Sequence, residues 1–461
     1  MTYGLAHLRR RPRIDEAPYL SARQELAFFR SETLAYEQTS KPCGASASAG
    51  ENGFTARAKT DAPDAGASHH SKPALIFVWE QFGAYHVDRL EAVATAAHSA
   101  YATIGVEFAS RSRTYAWEPV ESSSAFVRHT LFPDEVFEDT SWVQRLWRLI
   151  HVCSIYPRAA IFVCHSERPE IIVGSILLRL LRHKVYALLE TKFDDKQRDI
   201  LWESLKHFAF RVYHGGLLGG SRHAKYYQFL GFSPSSLHVG YDTVSVERIR
   251  TLAGIEPGPG GYPFEDRHFT IVARFVEKKN LKLALEAYAI YCRETLQDRR
   301  RRLVLCGSGP LETELRRYVQ SLGLGSDSVV FAGFLNAGDV AKCLGRSLAL
   351  ILPSREEQWG LVVNEALAVG VPILCSDHVG ARDTLVRNAV NGYIFESDNA
   401  VGLARAMIRL ATDGGEWKRL ATATHRFAPL GDTREFAAGV GRLIGDPEFQ
   451  GSIQPTPPPL C

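Results

Sequence analysis

Glu357 and Glu365 lie eight positions apart in the stretch ILPSREEQWGLVVNEALAVGVPILCSD, residues 351–377. The stretch reads as an apolar strand, a loop with Glu357, a Trp359-Gly360 turn, a short helix with Glu365, a stop at Gly370 and a second strand. A helix start offers free backbone N–H groups and partial positive charge, which suit a phosphate. Carboxylates on either side of it can hold hydroxyls. Together these are the parts of a nucleotide-sugar site. Glu365 sits among Val362, Val363, Ala366, Leu367 and Val369. A carboxylate in so apolar a helix needs a partner, and a ligand hydroxyl would serve. The alternative is an ordinary surface glutamate.

Four other strand ends carry polar chemistry. In ARFVEKKN (273–280), Arg274 and Lys279 follow a buried strand, and two cations there suit a diphosphate. A solvated loop in which Glu277 pairs with either is equally compatible. In CGSGP (306–310), Gly307 and Gly309 let backbone approach a ligand. The spacing of a full dinucleotide fingerprint is absent, which disfavours an NAD-linked oxidoreductase. His165 ends the strand IFVC and points toward a cleft, either as a ligand contact or as a structural histidine. Asp194 and Asp195, in TKFDDK, could meet acceptor hydroxyls; capping a helix at 197 is slightly favoured.

Strands alternating with helices must position these residues. Strand candidates fall at 74–78, 106–110, 159–166, 184–190, 210–216 and 237–240, with helices at 85–98, 141–152, 170–182, 197–208 and 221–230. After a Gly/Pro-rich linker, residues 254–261, the alternation restarts and runs to 445. The pattern predicts an α/β protein of two Rossmann-like, doubly wound domains, 73–253 and 262–445, facing a cleft. Ligands bind beyond the carboxyl ends of such strands.

ARFVEKKN, CGSGP, FAGF and above all E-x-W-G-x-x-x-x-E at 357–365 resemble the retaining GT-B glycosyltransferases of family GT4. The resemblance is close over 262–415 and looser over 73–250. It implies that Arg274 and Lys279 bind the donor diphosphate and that Glu357 faces the donor sugar and the reacting centre. It implies that Gln358, Trp359 and Gly360 set backbone N–H groups against the sugar. Leu361 and Val362 would bring the helix start to the distal phosphate, and Glu365 would hold the ribose. Gly309 and Phe334 would lie near the nucleotide, Gly83 in a loop over the diphosphate, and His165 near the donor sugar. The implied reaction moves a hexose from a UDP- or GDP-linked donor to an acceptor hydroxyl with retention. It needs no cofactor and no metal, and polysaccharide or lipid-linked saccharide synthesis is the family-level expectation. A sucrose- or trehalose-type synthase and a non-catalytic nucleotide-sugar-binding protein are the alternatives.

Composition agrees with a soluble enzyme: 45% hydrophobic, 23% charged and a net charge of +3. Nothing in that balance points to nucleic acid. The eight cysteines form no CxxC pair, so buried free thiols in a reducing cytoplasm are expected. No apolar run is long enough to span a bilayer. Peripheral contact with the inner membrane face stays open, because LLRLLRHK (177–184) is basic and amphipathic, although a solvated surface helix is the favoured reading. Residues 1–72 stand apart, with a helix expected over 21–36 and disorder over 41–72. An irregular tail is expected over 446–461.

Overall fold

The computed structural model describes residues 72–446, apart from 98–99, 114–119 and 122, together with Phe449. The expectations for residues 1–71 and 450–461 lie outside them. The first sheet holds β1 (Ala74–Trp79), β2 (Ala102–Arg111), β3 (Val127–Val136), β4 (Ala160–Val163), β5 (Lys184–Leu189), β6 (Gly216–Leu218) and β7 (Leu237–Val239). Its order is β3-β2-β1-β4-β5-β6-β7, parallel throughout. The second holds β8 (His268–Val272), β9 (Leu303–Cys306), β10 (Val329–Gly333), β11 (Ser347–Leu352), β12 (Ile373–Ser376) and β13 (Gly392–Phe395). Its order is β10-β9-β8-β11-β12-β13, again parallel. Both β1 and β11 are buried at every position, as a strand covered on two faces requires.

In the first half α1 (Ala84–Ala96) follows β1, α2 (Trp142–Ser154) follows β3, α3 (Pro169–Leu180) follows β4, α4 (Ile200–Ala209) follows β5 and α5 (Ser221–Phe229) follows β6. Right-handed crossovers put α1 on one face of the sheet and α2–α5 on the other. Helix α6 (Val246–Ala253) leads out of this half, and α7 (Leu281–Glu294), α8 (Glu312–Ser321), α9 (Ala337–Gly345), α10 (Val362–Ala368) and α11 (Arg382–Leu385) interleave with the second sheet. Helices α12 (Ala400–Thr412) and α13 (Gly414–Phe427) follow β13. The chain is thus two doubly wound halves, as expected of a GT-B fold.

Three expectations need correction. The last helix, α14 (Thr433–Ile444), leaves the second half and packs on α1, β6 and β7. Phe436, Ala437 and Val440 join the core built on Leu75, Phe77 and Trp79. A second domain of 262–445 therefore includes a helix that belongs by packing to the first. Strand β3 was not expected: it contains Pro133 and polar runs at Arg128–Thr130 and Asp134–Glu135, which an edge strand tolerates. The strand expected at 210–216 is a 3-10 turn, Phe210–Val212, and β6 starts only at Gly216. Phe210 and Tyr213 are core residues beneath the helices rather than members of the sheet ladder.

Candidate active site

In each sheet the strand order reverses beside its first strand: β1 lies next to β4, and β8 next to β11. Crevices outside the carboxyl ends of doubly wound sheets form at this point. Gly83 follows β1, His165 follows β4, Arg274 and Lys279 follow β8, and Glu357 follows β11. The four loops at the two switch points thus carry five of the residues singled out in the sequence.

Lys279 and Glu357 meet in the second half as a partly buried ion pair, Nζ to Oε2. Ser354 Oγ donates to the same carboxylate oxygen at 2.9 Å. The two loops also touch through their backbones: Arg355 N–H donates to the carbonyl of Lys278 at 2.8 Å. Asn280, in a left-handed conformation with φ 54°, ties this corner down by donating to the carbonyls of Pro353 and Ser397. Arg274 is exposed on the neighbouring turn. Among the described residues the backbone N–H groups of Gln358, Trp359, Gly360 and Leu361 find no protein acceptor, which leaves four donors on the turn just before α10. Gly360 enables this turn: its φ is +98°, and a Cβ there would stand 2.8 Å from Leu352.

Gly307 and Gly309 have a definite steric reason. Their φ values are 139° and 157°, and a Cβ on either would collide with backbone of Ala273 or Phe275. They let the β9 loop lie against the Arg274 loop, with Phe275 N–H donating to the carbonyl of Ser308 at 2.8 Å. Phe334, 63% exposed, projects just past the end of β10. Phe334, Gly309, Arg274 and Glu357 thus occupy four successive strand ends.

Glu365 is half-buried one turn into α10. Burial pushes its carboxyl up to about 7, and Arg248 opposes that shift. A hydroxyl-bearing ligand would supply the hydrogen bonds that this carboxylate lacks.

The first half supplies the opposite wall. His165 has φ 53°, a conformation that costs a non-glycine residue about 1–2 kcal/mol. Burial lowers its pKa, as does Arg168, while Glu190, Glu80 and Glu170 oppose. It is therefore a neutral imidazole at neutral pH, able to donate or accept. Buried Glu80 holds Arg168 at 2.7 Å and lies 3.8 Å from His165 Nε2. Gly83 is buried at the start of α1, where its N–H donates to His86 Nδ1 at 2.9 Å. A cavity of about 540 Å3 lies between the halves. His165, Glu190 and Lys196 line one side; Lys278, Glu357 and Gln358 line the other.

A further set of contacts spans the halves. The Trp359 indole is 5% exposed and packs over Gly219 and Gly220; a Cβ on Gly219 would stand 2.8 Å from it. Its Nε1 donates to Asn364 Oδ1 at 2.9 Å, and Asn364 donates to the carbonyls of Asp242 and Gly431. His223 Nε2 lies 3.0 Å from the carbonyl of Gln358. Arg222 bonds Asp194 at 2.9 Å and Asp383 at 2.5 Å. The loop carrying Glu357 is therefore held from the first half as well as from its own sheet.

The expected residues separate accordingly. His165, Glu357 and Gln358 line the cavity, whereas Arg274, Lys279, Gly309, Phe334, Leu361, Val362 and Glu365 surround the second-half strand ends. Trp359 can offer its backbone to a ligand, but its side chain is an interdomain anchor. Neither Asp194 nor Asp195 caps α4, although Asp195 accepts from the Lys192 N–H at 2.7 Å and so caps the 3-10 turn Phe193–Asp195. Asp194 pairs with Arg222, Asp195 pairs with buried Lys192, and Asp199 caps α4 instead. Glu80, Arg168, Glu190 and Lys196 went unnoticed in the sequence. Glu80 and Glu190 each stand directly after a buried strand, and that position was their available signal. Among the described residues no group of three His, Cys, Asp or Glu side chains gathers as a metal site.

Residues 260–427 match the family model of glycosyl transferases group 1. An uncharacterized glycosyltransferase of Methanocaldococcus jannaschii is 30% identical over 34% of this chain and 38% of its own. The D-inositol 3-phosphate glycosyltransferase of Streptomyces bingchenggensis is 28% identical over 45% of this chain and 47% of its own. The matches thus span less than half the length of these relatives. In fold, the sucrose-phosphate synthase of Thermosynechococcus elongatus superposes with a TM-score of 0.61 at 17% identity, over 81% of this chain and 98% of that one. HepE of Anabaena, solved with UDP, gives 0.58 at 13% identity, over 83% of this chain and all of that one. Over residues 260–427, then, the chain is similar to the glycosyl transferases group 1.

Proposed function

We propose that the protein is a retaining glycosyltransferase that moves a hexose from a nucleoside diphosphate sugar to an acceptor hydroxyl. The observation that carries this reading is the Lys279–Glu357 pair beside four free backbone N–H groups at the β8/β11 switch point. The nucleotide would lie along the strand ends, its base toward Phe334 and Gly309 and its ribose on Glu365. The diphosphate would meet Arg274, Lys279 and the N–H groups before α10. The sugar would then reach Glu357 and the cavity wall of His165.

Transfer forms a bond from the acceptor oxygen to the anomeric carbon and breaks the bond from that carbon to the phosphate oxygen. Negative charge grows on the leaving diphosphate, where fixed cations and N–H dipoles stabilise it without reorganisation. In same-face attack the leaving phosphate oxygen takes the acceptor proton, which accounts for retention. Glu357 is then an electrostatic and positioning group, and Lys279 is shared between it and the phosphate. A polysaccharide or lipid-linked saccharide is the acceptor this reading favours. The test is to incubate the purified protein with a panel of UDP- and GDP-sugars and follow nucleoside diphosphate release. Loss of release in Lys279→Ala and Glu357→Ala, with folding intact, supports the reading. Wild-type turnover by both variants overturns it.

A further inference from the structure

Helix α4 is built inside out. Its one fully buried side chain is Glu203, whose carboxylate accepts from the Tyr226 hydroxyl at 2.6 Å and faces Arg198 and Lys206, each at 3.5 Å. Ile200, Leu201, Trp202, Leu205 and Phe208 are instead between 57% and 82% exposed. A surface helix of a globular protein turns its apolar stripe to the core; α4 turns it outward.

The neighbouring helices extend the same surface. Helices α2 and α3 pack side by side, and the 3-10 turn Phe210–Val212 touches both α3 and α4. Trp142, Val143 and Trp147 are exposed on α2, as are Ile176, Leu180 and Leu181 at the end of α3. From Phe264 onward the described residues expose only Leu296, Phe334, Val390 and Val401 among large apolar side chains. The exposure is thus gathered on one side of the first half rather than scattered, and a gathered patch marks an interaction surface.

Charge selects the partner. The exposed acids of this segment are engaged: Glu167 with Lys206, Asp194 with Arg222, and Asp199 as the cap of α4. Exposed Arg179, Arg182, Lys184, Lys196 and Arg211 have no acidic partner among the described residues. Apolar and indole side chains bordered by unpaired cations match the boundary between acyl chains and anionic headgroups. No helix among the described residues is long and apolar enough to cross a membrane, so such a surface would lie on the bilayer. Lys196, four positions before α4, also lines the cavity.

We propose that the outer face of α2, α3 and α4 docks on an anionic lipid bilayer and brings the cavity beside Lys196 to acceptors borne on that surface. The docking stands on the surface alone, whereas the acceptor clause rests on the transferase reading. The test is flotation of the full-length protein with phosphatidylcholine vesicles, with and without about a third phosphatidylglycerol. The protein is expected to float with the anionic vesicles and to stay behind with the neutral ones. Trp202→Glu/Leu205→Glu is expected to cut flotation at least about tenfold with no loss of melting temperature, because the replaced side chains are exposed. Arg182→Glu/Lys184→Glu should weaken flotation most at low salt. Absence of flotation, or equal flotation of both variants, overturns the proposal. So does a doubled mass in solution that Trp202→Glu/Leu205→Glu abolishes, which would make the partner a second copy. A fall in that variant's melting temperature would mean that the chain itself covers the face, and would also overturn it. Flotation is read without turnover, so its failure leaves the transferase reading standing, and the converse holds.

Discussion

In the proposed reaction, Lys279 and Glu357 are the residues on which the chemistry turns. Their ion pair is partly buried and shares the carboxylate with Ser354. Removing either leaves the other charge uncompensated at the strand ends. Lys279→Ala and Glu357→Ala are each expected to lower transfer about 100-fold or more, the range seen when one preorganised stabilising group is lost. Rates and melting temperatures measured together separate a chemical loss from unfolding. Glu365 gives a pH signature. Its carboxyl, raised to about 7, is protonated at pH 6 and accepts fewer hydrogen bonds from a diol. Nucleotide affinity should therefore rise as pH goes from 6 to 8, and Glu365→Gln should flatten that rise in a calorimetric titration. The stability linkage runs the other way. The folded state holds this proton where the unfolded chain has lost it, so the contribution of Glu365 to stability falls as pH rises from about 4.5 to about 7.

At the scale of elements, the loop from Ser354 to Leu361 is held by anchors from both halves. Trp359→Ala should destabilise the protein by about 3–5 kcal/mol, because a buried indole and its bond to Asn364 are lost together. Chemical denaturation measures this directly. His223 bears on acid sensitivity. Burial holds its pKa down to about 4, and its neutral ring faces the carbonyl of Gln358. The unfolded chain takes up this proton near pH 6.5, so stability is lost as pH falls from about 6.5 toward 4. His223→Gln should remove part of that loss in a series of melting curves. The E-x-W-G frame, the cationic loop and the glycine turns were legible because each combines a buried strand with a polar or glycine punctuation. The anchoring role of Trp359 was not legible, since Gly219 and Gly220 become its neighbours only when the halves meet. Strand β3 hid for the opposite reason: an edge position relaxes the pattern that identifies central strands.

For the whole molecule, two sheets that share their order over six strands place their switch points across one cleft, and α14 returns to close the first half. The fold class followed from strand–helix alternation, but the return of α14 did not, because an amphipathic helix does not announce which sheet it will cover. A ligand bound across this cleft engages both halves and stabilises the folded state by mass action, about 2.7 kcal/mol at a hundred times its dissociation constant. The measurement that tests the account most directly is release of nucleoside diphosphate from a panel of UDP- and GDP-sugars, for the wild-type protein and Lys279→Ala side by side. The account predicts release from at least one donor, lowered about 100-fold or more in the variant at an unchanged melting temperature. Release that the variant supports at the wild-type rate, or a wild-type protein that neither binds nor cleaves any nucleotide sugar, would contradict it.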